Sequence, residues 1–152
     1  LAPYPLWSTF LSTILKAADA YKNAIADAGV RKTTLRYIDK LQFSPEDFRL
    51  GDWIDCSGDF FPRRLESCDF AALCRIGMPL KPGHSIVTLG LQREPTGTLS
   101  VLLDTDLYSD ATFSTVLDTK DTLETFHQNI VQIFEQCITD KTRDLLVRDT
   151  EQ

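Results

Sequence analysis

Two long segments, one near each end of the chain, carry apolar residues at steps of three and four, the spacing of one face of an α-helix. The first predicts a helix over residues 6–28, with this stripe: Trp7, Phe10, Leu11, Ile14, Ala18, Tyr21 and Ile25. The second predicts a helix over 121–138, with this stripe: Leu123, Phe126, Ile130, Ile133, Phe134 and Cys137. We therefore expect both helices to bury one face against a common neighbour.

Between these helices the apolar residues alternate with polar ones, which is typical of β-strands. The pattern predicts strands over 33–43, 70–78, 84–92 and 98–108, and a short helix in "SPEDFRLG" that begins at Ser44. The last three strands are joined by short connections, which favour antiparallel pairing, because parallel strands need long crossovers. The order indicates a single α+β domain over 1–152: an antiparallel sheet of four to five strands, with the N- and C-terminal helices packed on one face.

The stretch "LLDTDLY", residues 102–108, places two carboxylates inside an otherwise apolar strand. Alternation puts Asp104, Asp106 and Tyr108 on one side of that strand and its apolar residues on the other. In the strand over 33–43, Arg36 and Lys40 likewise lie on the less apolar side. We therefore predict that these five residues form a polar face, turned away from the helices.

Three interpretations of this polar face are open. The aspartates could pair with cations on neighbouring strands, at up to about 1 kcal/mol for each pair. The face could instead line a groove or a protein interface. In the third interpretation Asp104 and Asp106 serve a metal-assisted hydrolase or a small-ligand-binding domain. The sequence has none of the common catalytic or phosphate-binding motifs, so we assign no catalytic residue, metal ligand or cofactor.

The segment 51–69 shows little periodicity and is long for a loop within one domain. It contains aromatic residues together with two arginines, and these are frequent anchors of protein contacts. In the second interpretation this segment would form the rim of the groove or interface, through this set: Trp53, Phe60, Phe61, Arg63 and Arg64. A loop that packs over an edge of the sheet is the alternative. The arginine pair could alternatively hold an anion, or could simply be solvated.

Composition narrows the possible partners. The chain has 152 residues, with 16 Lys and Arg against 22 Asp and Glu, for a formal charge of −6. This balance disfavours nucleic-acid binding, which needs a concentrated positive surface. No apolar run reaches the length of a membrane span, so we expect no membrane contact.

The four cysteines lack C-x-x-C spacing and predict reduced thiols in a cytoplasmic protein; a Cys56–Cys68 or Cys68–Cys74 disulfide is the alternative.

Four stretches together resemble the C-terminal half of an uncharacterised, sporadically distributed bacterial protein family. They are "YPLW", "LRYIDKLQF", "LLDTDLY" and "LETFHQNIVQIFEQCITDKTRDLL". Members often have an LRYIN strand, an LDIDVY-like strand and a closing FExxITDxxRxLF segment, whereas this chain has Asp39 in place of the usual Asn. The resemblance implies a further N-terminal half in longer relatives and implies no activity. We expect a non-enzymatic module that binds another protein or associates with itself.

Overall fold

The computed structural model describes residues 6–25, 29–46, 48–57, 60–66, 68 and 71–150, with side chains up to residue 146. Three helices and four strands follow one another in this order: α1 (Trp7–Ala24), β1 (Thr33–Phe43), β2 (Ala72–Leu80), β3 (Gly83–Arg93), β4 (Leu99–Ser109), α2 (Lys120–Cys137) and α3 (Asp140–Thr150). The predicted α+β class is confirmed, with one antiparallel sheet and a helix at each end. None of the described helices is long and apolar enough to cross a membrane.

The sheet has the strand order β1-β4-β3-β2, and every pairing is antiparallel. Strands β2, β3 and β4 form the predicted meander through short turns. Strand β1 adds to the outer side of β4, so the segment 44–71 carries the chain from one edge of the sheet to the other. This arrangement puts β4, which contains Asp104 and Asp106, in the interior of the sheet beside β3 and β1.

The alternating pattern of β4 divides the sheet into two faces. Its odd-numbered residues from Leu99 to Ser109 are all buried, whereas Asp104 and Asp106 are only partly buried. Helix α2 packs on the buried face through the predicted stripe, in which these residues are buried: Leu123, Phe126, Ile130, Ile133 and Cys137. The hydrophobic core therefore lies between α2 and the odd-numbered side of the central strands.

Helix α1 is attached to this core mainly through its first half. The Trp7 ring stacks on His127 of α2 at 4.3 Å between centroids, and the Trp7 indole Nε1 donates a 2.7 Å hydrogen bond to Glu124. The Tyr37 hydroxyl lies 2.9 Å from His127 Nδ1, and burial lowers the pKa of His127. Within the predicted stripe of α1 only Leu11 is buried, and its C-terminal part is exposed.

The short helix predicted from Ser44 is wrong. Residues 45 and 46 form a bend and a turn, and a 3₁₀ helix follows at Leu50–Asp52. Phe48 and Leu50 are both buried in the core. Residues two apart cannot share one face of an α-helix, so burial of both side chains requires a more extended path. Burial of these two side chains therefore outweighs the preference of Ser44 for the N-terminal cap of a helix.

Candidate functional site

The sheet face opposite α2 has no helix over it within the described part of the chain, and we call it the open face. It consists of the even-numbered residues 34–42, 84–92 and 100–108, together with the odd-numbered residues 73–79 of β2. All five residues of the predicted polar face lie on it: Arg36, Lys40, Asp104, Asp106 and Tyr108. Strand alternation alone places them there, because a side chain two residues further along a strand returns to the same face.

Arg36 and Asp104 form a bidentate ion pair on this face. The Arg36 guanidinium donates from Nε to Asp104 Oδ1 at 2.7 Å and from Nη2 to Oδ2 at 2.6 Å. The hydrogen bonds and the charge of Asp104 raise the pKa of Arg36. Asp106 accepts a 2.8 Å hydrogen bond from the hydroxyl of Thr34. Asp104 is therefore paired with a cation on β1, as the first of the three interpretations expects, whereas Asp106 is held by a hydroxyl group of the same strand.

Lys40 forms its ion pair with Glu94 and not with Asp104 or Asp106. Its Nζ lies 2.9 Å from Oε1 of Glu94, which follows β3, and the hydroxyl of Ser100 donates to the same oxygen at 2.8 Å. The hydrogen bonds from Lys40 and Ser100 lower the pKa of Glu94, and the bond from Lys40 has the larger effect. At this end of the open face the cation and the carboxylate are thus paired within the chain.

Tyr108 lies at the other end of the open face. Its ring stacks on the imidazole of His84 at 5.4 Å between centroids. The Nζ of Lys32 lies 4.7 Å from the centre of the Tyr108 ring, a cation–π distance. Tyr108 is therefore held by neighbours on β3 and beside β1.

An apolar groove with a volume of about 630 Å³ crosses the open face near the Lys40 end. Gly90 forms part of its floor, and Leu73 and Leu102 stand on either side of Gly90 on the adjacent strands. A Cβ atom placed on Gly90 would lie 3.7 Å from the Cβ of Leu102, so the missing side chain leaves open space. The polar and apolar parts of the open face are thus adjacent.

The open face also exposes large aliphatic side chains. Leu73 is 79% exposed and Ile38 is 42% exposed. Single exposed aliphatic residues are common on protein surfaces, but here Leu73 lines the groove and Ile38 lies on the same sheet face. No pattern in the sequence marked this groove, because it depends on which strands are neighbours.

The first part of the aromatic loop lies away from the open face. Trp53 packs on Phe43 of the buried face at 4.4 Å between ring centroids. The backbone next to Trp53 pairs with the end of α2, through a hydrogen bond from the Asp55 amide to the Cys137 carbonyl at 2.9 Å. Trp53 therefore lies on the helix side of the sheet and not beside Asp104 and Asp106.

The predicted rim residues have separate environments. Phe61 is fully buried in the core, and Phe60 is partly buried beside it. Arg63 and Arg64 are exposed at the 3₁₀ helix Arg63–Leu65. The loop is irregular because it fills the end of the core with side chains, which is a packing role that its lack of periodicity could not reveal.

Asp39 is an ionisable residue on the buried face. It pairs with Leu103 across the strands and is partly buried. Desolvation raises its pKa to about 6. Alternation had already placed Asp39 on the apolar side of β1, but the degree of desolvation depends on the packing around it.

Two of the cysteines have strongly raised pKa values. All four cysteines are free thiols, and burial raises the pKa of Cys56 to about 11 and that of Cys137 to about 12. Thiols with such pKa values are poor nucleophiles at neutral pH. Among the described residues, no group of three or more His, Cys, Asp or Glu side chains is placed to hold a metal ion.

No protein-family model, curated protein or solved structure matches this chain in the comparisons with known proteins. The resemblance to the bacterial family therefore remains a prediction based on short motifs. The geometry of the open face is the main indication of function.

Proposed function

We propose that this protein is a self-association module that forms a homodimer through the open face of its sheet. The observation that carries the proposal is the combination on one sheet face of an exposed leucine, an apolar groove and the Arg36–Asp104 ion pair. Packing a second sheet on it would bury Leu73 and the groove over Gly90 without leaving the Arg36–Asp104 pair unpartnered.

Charge supports a second copy as the partner. The open face and its margins carry four cations against three carboxylates, a formal charge of +1: Lys32, Arg36, Lys40 and Arg75 against Glu94, Asp104 and Asp106. The whole chain carries −6. Two identical acidic chains repel each other over most of their surface, and a face with little net charge is where they can meet at low electrostatic cost.

The size of the face also fits. Four strands at about 4.8 Å spacing and about ten residues at 3.4 Å rise give a surface of roughly 19 by 34 Å. This corresponds to about 650 Å² in projection for each copy, before the relief of the side chains is added. A standard stable interface buries about 600–1,000 Å² per partner, so overlap of the whole face falls within this range, and overlap of three of its four strands gives roughly 490 Å² before the relief of the side chains is added.

The test is a change of charge at the most exposed aliphatic residue of the face. Leu73→Glu should abolish the dimer, because it would bury a carboxylate in an apolar groove. Leu117→Glu is the matched control, since Leu117 is also exposed, at 53%, but precedes α2 on the helix side of the molecule. Sedimentation equilibrium over a range of protein concentrations measures the dissociation constant of all three proteins.

We expect the wild type and Leu117→Glu to dimerise equally, and Leu73→Glu to be a folded monomer with an unchanged far-ultraviolet circular dichroism spectrum. A wild-type protein that is monomeric at all concentrations would refute the proposed function. A dimer that both variants weaken equally would refute the assignment to the open face.

A further inference from the structure

The register of the open face limits how two copies can pack, if the proposed dimer forms. In a dimer with two-fold symmetry, every contact from one copy to the other is repeated in reverse. Two sheets stacked face to face are related by an axis that lies between them, either along the strands or across them. We propose that the two-fold axis runs along β3, which places Arg75 of each copy opposite Asp104 of the other.

The cross-strand rows of the open face define these contacts. In one row Asp104, Thr88 and Arg75 lie side by side on β4, β3 and β2. Rotation about an axis along β3 exchanges β4 with β2 and leaves β3 over itself. Asp104 of one copy then faces Arg75 of its partner, so each dimer contains this oppositely charged contact twice.

The next row brings apolar side chains together under the same rotation. It contains Leu102, Gly90 and Leu73 on the same three strands. Leu102 of one copy faces Leu73 of the other, and Gly90 lies on the axis. The four leucines of the dimer then surround the space above the two Gly90 residues, which is the apolar groove of each copy.

Three other axes give less favourable contacts. An axis between β3 and β4 would set Arg75 against Ile38 and Lys40 against Leu73, so that charged groups face apolar ones. An axis along β4 would place Asp104 and Asp106 each against its own copy. An axis across the strands through the row of Asp104 would also oppose Asp104 to itself. Like charges that face each other across an interface are strongly unfavourable, so the axis along β3 is favoured.

Asp104 can accept a second cation. A carboxylate has about four acceptor positions, and the two hydrogen bonds from Arg36 use two of them. Arg75 is exposed on the edge strand β2, and its long side chain can span part of the roughly 10 Å between stacked sheets. In the dimer Asp104 would thus lie between Arg36 of its own chain and Arg75 of the partner.

A charge exchange between two chains tests this contact. Arg75→Glu alone sets a carboxylate against Asp104 at both contacts, and Asp104→Lys alone sets an ammonium group against Arg75 at both. Each variant homodimer should dissociate at least about tenfold more readily than the wild type. A mixture of the two variants restores opposite charges at one of the two contacts and leaves the substituted pair, also of opposite charge, at the other. A heterodimer of near wild-type affinity should therefore form, and native mass spectrometry with one variant labelled with ¹⁵N separates it from the homodimers.

Two controls keep the test clear. Arg63→Glu mixed with Asp144→Lys makes the same charge changes on exposed residues away from the open face, and neither variant should alter dimerisation. Asp104→Lys also removes the internal partner of Arg36, so its folding is checked by thermal melting. If it does not fold, a comparison of Arg75→Glu with Arg75→Lys decides the matter, because the lysine variant should keep the dimer and the glutamate variant should lose it.

The outcomes separate this inference from the proposed function. Restoration of the dimer by mixing, with the controls unaffected, supports the axis along β3. A wild-type dimer whose affinity Arg75→Glu leaves unchanged, or two monomeric variants that remain monomeric when mixed, would refute this axis while the open-face dimer still stands. A monomeric wild type would instead remove the proposed function itself.

Discussion

One partly buried carboxyl group, that of Asp39, should make the stability of this protein depend on pH. Asp39 lies on the buried face of β1, where desolvation raises its pKa from 3.8 to about 6. In the unfolded chain the same group ionises near its ordinary pKa of 3.8. Between about pH 4 and 6 the unfolded state therefore releases the proton of Asp39 more readily, and the free energy of unfolding should fall as the pH rises.

The size of the effect follows from the shift. A change of about two pKa units corresponds to about 3 kcal/mol if the carboxyl is wholly removed from water. Because Asp39 is only partly buried and remains in contact with solvent, we expect a loss of about 1–2 kcal/mol at neutral pH. Asn has nearly the same shape and no charge, so Asp39→Asn should recover this amount.

Urea unfolding followed by tryptophan fluorescence, at pH values from about 4 to 7.5, measures the difference. The gain from Asp39→Asn should be largest above about pH 6.5 and should vanish near pH 4, where the carboxyl is largely protonated in the folded state and half protonated in the unfolded one. Asp110→Asn is the control, because it removes one negative charge from an exposed position after β4. Desolvation of Asp39 is refuted if Asp39→Asn gives no gain at neutral pH, or the same gain in acid and at neutral pH, or no more gain than the control.

Three further changes test the core by the same unfolding measurement. Phe61→Ala should cost about 3–5 kcal/mol, as for a fully buried aromatic residue, and a loss below about 1 kcal/mol would mean that the loop is not part of the core. Gly83→Ala should destabilise by about 1–3 kcal/mol, because the new Cβ would collide with the carbonyl oxygen of Tyr108 and the backbone must move; an unchanged stability would contradict this close approach. Thr142→Val should cost about 1–2 kcal/mol, since it removes the hydroxyl that donates to the Trp53 carbonyl at 2.5 Å, and equal stability of both proteins would argue against this bond.

Local sequence patterns predicted well where one periodicity dominates. The period of two in β4 put Asp104 and Asp106 on one face and the core residues on the other, and the period of three and four in α2 marked its buried stripe. These predictions succeed because the side-chain direction follows from the backbone geometry of a strand or helix, without reference to distant residues. The apolar stripe of α1 is equally regular, but only Leu11 in it is buried. Periodicity shows which face of a helix is apolar, and it does not show how much of that face contacts the rest of the protein.

Segments without a period were predicted poorly. The aromatic and arginine content of the loop that contains Trp53 and Phe61 favours an interface rim beside the acidic residues. In the fold it packs at the end of α2, because Phe61 and Ile54 are large apolar side chains that the end of the core requires. Composition identified these residues as important but could not say on which side of the sheet they lie.

The sequence by itself determined the class of the fold, the two sides of each strand and the shared face of Asp104 and Asp106. Only the tertiary structure decided that β1 pairs with β4, and with it the Arg36–Asp104 ion pair, the groove over Gly90 and the desolvation of Asp39. The physical reason is distance along the chain: alternation is a local property of the backbone, whereas these contacts join residues that the order of the strands alone brings together.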